Sequence, residues 1–136
     1  MSDDKPFARV VALVRSDGAL VTDNEAVGEH DDYTSLVISA GQSNGVTFDT
    51  RFVIYANGTE LFDPDSDVSL GNFEIVKGEG KVIHVMPNMS RIKTTRTRRQ
   101  QRTAFGGRVA KPDNQKFNLV LVPFIGVLIG DAVRPI

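Results

Sequence analysis

The residues of this chain best suited to chemistry are basic, and they lie between positions 91 and 108. With no acid among them, the sequence places there Arg91, Lys93, Arg96, Arg98, Arg99, Arg102 and Arg108. Clustered cations attract phosphate backbones, and a guanidinium can hold phosphate or carboxylate oxygens in a fork. Phe105 is the one aromatic residue among them, so base stacking on a single strand is poorly supported. We favour a solvated loop, or one paired with an acidic protein surface, over a nucleic-acid site and over an anionic membrane surface.

An acidic corner offers a second candidate site, for calcium. Asp63, Asp65, Asp67 and then Glu74 copy the oxygen-ligand spacing of a calcium-binding loop, which uses positions 1, 3, 5 and 12. The next loop position requires glycine and is Val68 here, and the flanking segments have the composition of strands. Aspartate and proline followed by short polar residues also form ordinary turns. We therefore predict a structural turn and no metal site.

The two histidines are the third candidate. His84 alternates with Val82 and Met86 as on a strand, whereas His30 lies far away in an acidic segment. The two could form a metal or catalytic pair, but a lone strand histidine is more often packed and hydrogen bonded. There is no cysteine and no glycine-rich phosphate loop, so thiol catalysis and a Walker-type nucleotide site lack support. We predict that the protein is not an enzyme and has no catalytic residues and no cofactor.

Length and composition indicate one globular domain spanning residues 1–136. The charged fraction of 24% and the hydrophobic fraction of 40% are ordinary values, which argue against disorder and a fibrous architecture. The charge is unevenly placed, since residues 1–90 hold 15 acids and 6 bases whereas residues 91–136 hold 2 acids and 10 bases. This distribution predicts an acidic body and a basic end.

Three features bear on the cellular setting. The absence of cysteine removes disulfides, and the acidic start MSDDKPF lacks the pattern of a secretory signal, so we expect a cytoplasmic protein. Residues 1–6 are polar and are expected to be a flexible N-terminus. The most apolar segment, Phe117–Ile129, contains Asn118 and Pro123 and is too short to cross a bilayer, so we expect no membrane span.

Alternating apolar and β-branched residues predict strands throughout the chain. They cover Phe7–Val14, Tyr33–Ala40, Thr50–Ala56, Asn72–Val76, Lys81–Met86, Met89–Thr95 and the closing segment Phe117–Ile136. The first of these also fits a helical stripe, although its β-branched residues favour a strand. Asn57-Gly58 is typical of a hairpin turn, Lys77–Gly80 is interpreted as another turn, and residues 94–116 as a long basic loop within the domain. The expected fold is all-β, a small antiparallel β-barrel of six to seven strands.

Several segments together resemble a known family. They are FARV at 7–10, LVISAGQSNGV at 36–46, RFVIYANGTELFDPDSDVSLGNFEIVKGEGKVIHV at 51–85, Met89 and the final GDAVRPI. In this order they contain an aGxxxGV turn, RFxIY, DPxxxxxLG and GDxVxPI, and they are similar to small bacterial proteins of unassigned function that resemble the C-terminal domain of flagellar assembly protein T. The resemblance covers most of the chain and implies a small β-barrel, with no catalytic residue known for the family.

The chain departs from this family pattern at identifiable places. Asp49 and Asp67 stand where the pattern has glycine, and Val68 replaces an acid. Residues 16–32 resemble an insertion between the first two strands, and residues 94–116 lie where the family is expected to vary. The resemblance therefore implies no function for the basic segment.

These observations lead to two hypotheses of different classes. The first is a non-enzymatic interaction or structural module that forms a homo-oligomer or joins a larger assembly through its arginine-rich loop and apolar C-terminal end. The alternative is a nucleic-acid-binding protein that acts through the arginine-rich segment 91–111.

Overall fold

The computed structural model describes residues 6–27, 32–101 and 117–136, and these form nine β-strands. The strands are β1 (Ala8–Val14), β2 (Leu20–Val21), β3 (Ser35–Ile38), β4 (Arg51–Phe62), β5 (Ser69–Val85), β6 (Ser90–Thr94), β7 (Thr97–Gln101), β8 (Phe117–Leu121) and β9 (Ala132–Pro135). Two short 3₁₀ helices cover Asn24–Ala26 and Gln42–Asn44. The predicted flexible N-terminus lies outside the described residues except for Pro6.

Six of the strands close into an antiparallel barrel. The pairing order is β1-β3-β6-β5-β4-β9, and β9 pairs with β1 to close the ring, while β2 adds a short seventh strand beside β1. Inward side chains alternate with outward ones along each strand, as a small barrel filled by side chains requires. The largest fully buried residues include Phe52, Ile54, Val82, Ile92 and Val133. The prediction of a small antiparallel barrel of six to seven strands is confirmed.

The hairpin between β4 and β5 is much longer than predicted. Asn57 and Gly58 lie inside β4, where Asn57 pairs with Glu74 and Gly58 lies in a bulge between Asn57 and Glu60, so the predicted turn at this pair is wrong. The chain reverses instead at Asp63–Asp67, where the backbone N–H of Asp63 donates to the carbonyl of Val68 at 2.9 Å. The interpretation of the acidic corner as a turn is confirmed.

Left-handed backbone explains why the chain turns at the corner. Asp67 has φ 56° and Asp63 accepts the backbone N–H of Asp65 on Oδ1 at 2.9 Å. Asp49 is the other described non-glycine residue with positive φ, at 72°. Aspartate tolerates this region better than most residues, because its short side chain can hydrogen bond locally.

The glycines at 78 and 80 serve packing instead of a turn. β5 runs unbroken through Lys77–Gly80, so the predicted turn there is wrong. A Cβ on Gly78 would lie 2.6 Å from Phe124 Cδ1, and one on Gly80 would lie 2.1 Å from Ile92 Cγ2. The missing side chains let the buried Phe124 ring pack against the inner face of β5. Glycine is needed at these two positions because a side chain would not fit. In the sequence alone, the two glycines instead indicate a turn of the chain.

The basic segment is only partly a loop. Its first residue, Thr94, ends β6, and β7 pairs with β8 as a two-stranded ribbon separate from the barrel. The loop interpretation of 94–116 is therefore wrong for residue 94 and for 97–101, because pairing with an apolar strand from the far end of the sequence imposes extended structure on arginine and glutamine. Residues 102–116 lie outside the described part of the chain. Of the closing segment, Ala132–Pro135 completes the barrel and Phe117–Leu121 does not.

Candidate interaction surfaces

An arm of two strands projects beyond the barrel. β9 pairs with β4 only over Phe52–Tyr55, and β6 pairs with β5 only over Gly80–Val85. Beyond these limits, residues 56–62 pair with residues 69–75 and with no other described strand. We call residues 56–76 the arm. Both of its outer edges therefore present backbone N–H and C=O groups that no described strand pairs.

One face of the arm continues the core side of the barrel. Ile54 is fully buried and pairs with Gly78, and Ala56, two residues further on, pairs with Ile75 on the same side of the sheet. Phe73 follows on that side by the same alternation. No barrel strand covers this face, so Phe73 is 60% exposed and Ile75 47% exposed. Further large exposed apolar residues toward the tip are Leu61, Phe62, Val68 and Leu70.

The base of the arm is fixed on its opposite face. The Arg134 guanidinium lies over the Tyr55 ring, 4.7 Å from its centroid, and donates to Glu74 Oε2. The hydrogen bond to Glu74 raises the pKa of Arg134 above its ordinary value. Tyr55 lies beneath the guanidinium and is buried, and it packs in one cluster with the buried Val53. Arg134 therefore ties the base of the arm to β9.

The tip of the arm is acidic. Ser69 donates from Oγ to Glu60 Oε2 at 2.6 Å, and the corner residues Asp65 and Asp67 are exposed. Glu74 bonds Arg134 at the base and does not turn toward the corner. In the described part of the chain, no group of three or more His, Asp or Glu side chains is placed to hold a metal ion.

A second surface is cationic and lies on the outside of the barrel. Arg51 on β4 lies directly opposite Lys81 on β5, and Lys81 lies directly opposite Lys93 on β6. Directly opposite residues in antiparallel strands point to the same face, so the three side chains form one row across three strands. We call Arg51, Lys81 and Lys93 the cationic row. With Ile83, Thr94 and Thr95 they line a cavity of about 290 Å³.

The structure places the predicted basic residues in three groups. Arg91 and Lys93 lie on β6, and Arg91 donates from Nε to Ser35 Oγ at 2.8 Å. Arg96, Arg98 and Arg99 are exposed and lie just before or within β7. Arg102 and Arg108 lie outside the described residues. Arg51 and Lys81 were missed, because only the register of strands far apart in sequence brings them beside Lys93.

A second cavity is lined in part by the segment that follows β8. It measures about 550 Å³, and its polar lining residues are Asn24, Asp32 and Tyr33. The Asn24 amide is engaged at both ends, since it donates to the Ile129 carbonyl and accepts the Ile129 N–H. His84 is exposed on β5 opposite Arg91 and lines neither of the two cavities. His30, the other predicted candidate, lies outside the described residues.

Comparison of the chain with family models, curated proteins and solved structures yields no match. The resemblance to the flagellar assembly domain therefore stays a prediction. Among the described residues, no helix has the length and apolar character needed to cross a bilayer.

Proposed function

We propose that this protein is a non-enzymatic assembly module whose arm pairs with the arm of a second copy. The observation that carries the proposal is the core-facing side of the β4–β5 hairpin, which runs past the barrel with Phe73 and Ile75 exposed. An isolated two-stranded ribbon is marginally stable in water. No barrel strand covers the apolar face of the arm or pairs its edges. A partner that did both would bury the apolar side chains and complete the backbone hydrogen bonds of one edge.

A second copy is a suitable partner, because its own arm carries an identical apolar face that can pack against the first. Two-fold dimers join identical patches, and an apolar face next to an open edge is self-complementary in that sense. The acidic tips favour an antiparallel arrangement of the two arms over a parallel one. If the arms lay parallel, Asp63, Asp65 and Asp67 would meet their own copies, and like charges side by side repel. Antiparallel arms separate the two tips and keep the apolar faces together.

The apolar C-terminal end contributes less than the sequence indicated. Phe124, Val127 and Val133 are buried in the core of the barrel, and Ala132 is buried against Val53 and Tyr55, so part of that segment is used within the chain. Leu119, Ile125, Leu128 and Ile136 remain exposed, but they lie outside the arm. The arm therefore replaces the C-terminal end as the proposed contact. The proposal keeps the cytoplasmic setting expected from the absence of cysteine, and it keeps the relation to the flagellar assembly domain as a prediction.

Light scattering coupled to gel filtration tests the proposal over a range of concentrations. The wild-type chain is expected to form dimers, and Phe73→Ser/Ile75→Ser is expected to shift the protein to monomer. Leu20→Ser/Phe48→Ser is the matched control, because it removes two exposed apolar side chains of similar size outside the arm. A wild type that stays monomeric at high concentration, or equal loss of dimer in both variants, contradicts the proposal.

A further inference from the structure

The cationic row is expected to lower the stability of the folded protein, which suggests that it serves a function. Arg51 and Lys81 are opposite each other, and so are Lys81 and Lys93, which makes two like-charge pairs on adjacent strands. Like charges directly opposite each other in a sheet are destabilising. Asp49 relieves only part of this, since its carboxylate lies 3.4 Å from Lys81 Nζ in an exposed pair. Glu79, two residues before Lys81, is a nearby acid on the same face of β5.

The row continues into further basic residues. Arg91 precedes Lys93 by two residues and shares its face of β6. β6 and β7 are separated by two residues and do not pair with each other, so the chain does not fold back. Arg96, Arg98 and Arg99 therefore lie beyond the row along the chain, and residues 91–99 contain no acid. Arg98 and Arg99 are neighbours on β7 and point to opposite faces of its ribbon.

We propose that this surface binds the phosphate backbone of nucleic acid without reading its sequence. An extended polyanion can contact the three cations of the row and Arg91, and then continue along the segment that carries Arg96 and the β7 arginines. The compact acidic tip of another arm would cover only a few of these cations. Among the residues that the structure describes, Ile83, Thr94 and Thr95 line the cavity beside the row, and none of them is an aromatic side chain that could stack on a base. None of the large exposed apolar residues lines this cavity, so it lacks the apolar face that a membrane surface would hold. The site is distinct from the arm and does not depend on self-association.

Fluorescence anisotropy of labelled oligo(dT), titrated with the full-length chain at several salt concentrations, tests this proposal. Affinity is expected to fall as salt rises, with a log-log slope of about −0.7 for each phosphate that a protein cation neutralises. Lys81→Gln/Lys93→Gln removes two of these contacts, so its slope is expected to be shallower by about 1.4. The corresponding weakening at low salt is several-fold. Lys81→Arg/Lys93→Arg keeps the charges and is expected to bind as the wild type does.

Arg9→Gln/Arg15→Gln is the matched control, because it gives the same net charge by changing cations of β1 and its following turn. It is expected to keep most of the affinity. Circular dichroism and gel filtration establish that each variant is folded. The proposal is overturned if the wild type does not bind at low salt, or if the control loses as much affinity as the row variant. It is also overturned if the row variant binds oligo(dT) normally but loses self-association or binding to anionic vesicles.

Discussion

Lys77 and Asp131 form an ion pair that ties the base of the arm to the segment before β9. Lys77 Nζ lies 3.1 Å from Asp131 Oδ2, and the two side chains are 13% and 9% exposed. Nζ also donates to the Gly126 carbonyl at 3.0 Å, and Oδ2 accepts the Leu128 N–H at 2.7 Å. Since both charges are held by fixed partners and largely withdrawn from water, loss of one leaves the other buried and uncompensated.

Lys77→Met is therefore expected to destabilise the fold by about 3 kcal/mol, the cost of breaking a buried ion pair from one side. Lys81→Met is the control on the same strand, because its pair with Asp49 is exposed and contributes about 0 to 1 kcal/mol. Removing Lys81 also relieves two like-charge contacts in the cationic row. Urea unfolding measures both variants, and similar free-energy changes for the two would show that the Lys77 pair is not structurally important.

At the tip of the arm, glycine is expected to be more stable than alanine at one aspartate and not at another. At Asp67, where φ is 56°, alanine is expected to be less stable than glycine by about 1 kcal/mol, because a Cβ is strained in the left-handed region. At Asp65, which is not among the positive-φ residues, alanine is expected to be at least as stable as glycine. Thermal unfolding of the four variants measures both differences. Alanine as stable as glycine at position 67 would show that the corner does not need left-handed backbone.

The barrel was predictable because its signal is local. Ile92 lies between Arg91 and Lys93 on its strand and is fully buried, as the alternation predicts. The arm was not predictable, because Asn57-Gly58 is a strong turn signal that pairing on both sides of it overrules. Tyr55 pairs with Val76 and Leu61 with Gly71, so the hairpin continues past the bulge. A single-sequence pattern cannot weigh a local turn against ladder hydrogen bonds formed with residues farther along the chain.

The candidate surfaces were also only partly predictable from the sequence. Lys93 was identified from the arginine run, but Arg51 lies 42 residues earlier and joins it only through the register of β4 on β5 and β5 on β6. The exposed face of the arm was also hidden, because Phe73 and Ile75 have the pattern of buried strand residues. The alternation predicted a strand here, which β5 confirms. The sequence could not reveal that the barrel ends before it covers these two side chains.

Hydrogen exchange is expected to divide β4 and β5 into two parts. Amides of residues 51–54 and 80–85 lie in the barrel and are paired on both sides, whereas those of the arm are held only within the ribbon. In the monomeric Phe73→Ser/Ile75→Ser variant, arm amides are expected to exchange at least tenfold faster than barrel amides, because local opening exposes little core. In the wild-type dimer the arm is expected to gain protection. Equal protection of arm and barrel in the monomer would show that the arm needs no partner.

The most direct test of the central claim is the distance between matching positions on two paired arms. The chain has no cysteine, so a single spin label can be placed at Thr59→Cys near the middle of the arm or at Ser66→Cys at its tip. With about 3.4 Å per strand residue, antiparallel arms predict tip labels roughly 45 Å apart and middle labels less than about 20 Å apart in pulsed dipolar spectra. Tip labels closer together than middle labels, or no dipolar coupling at either position, would contradict the account.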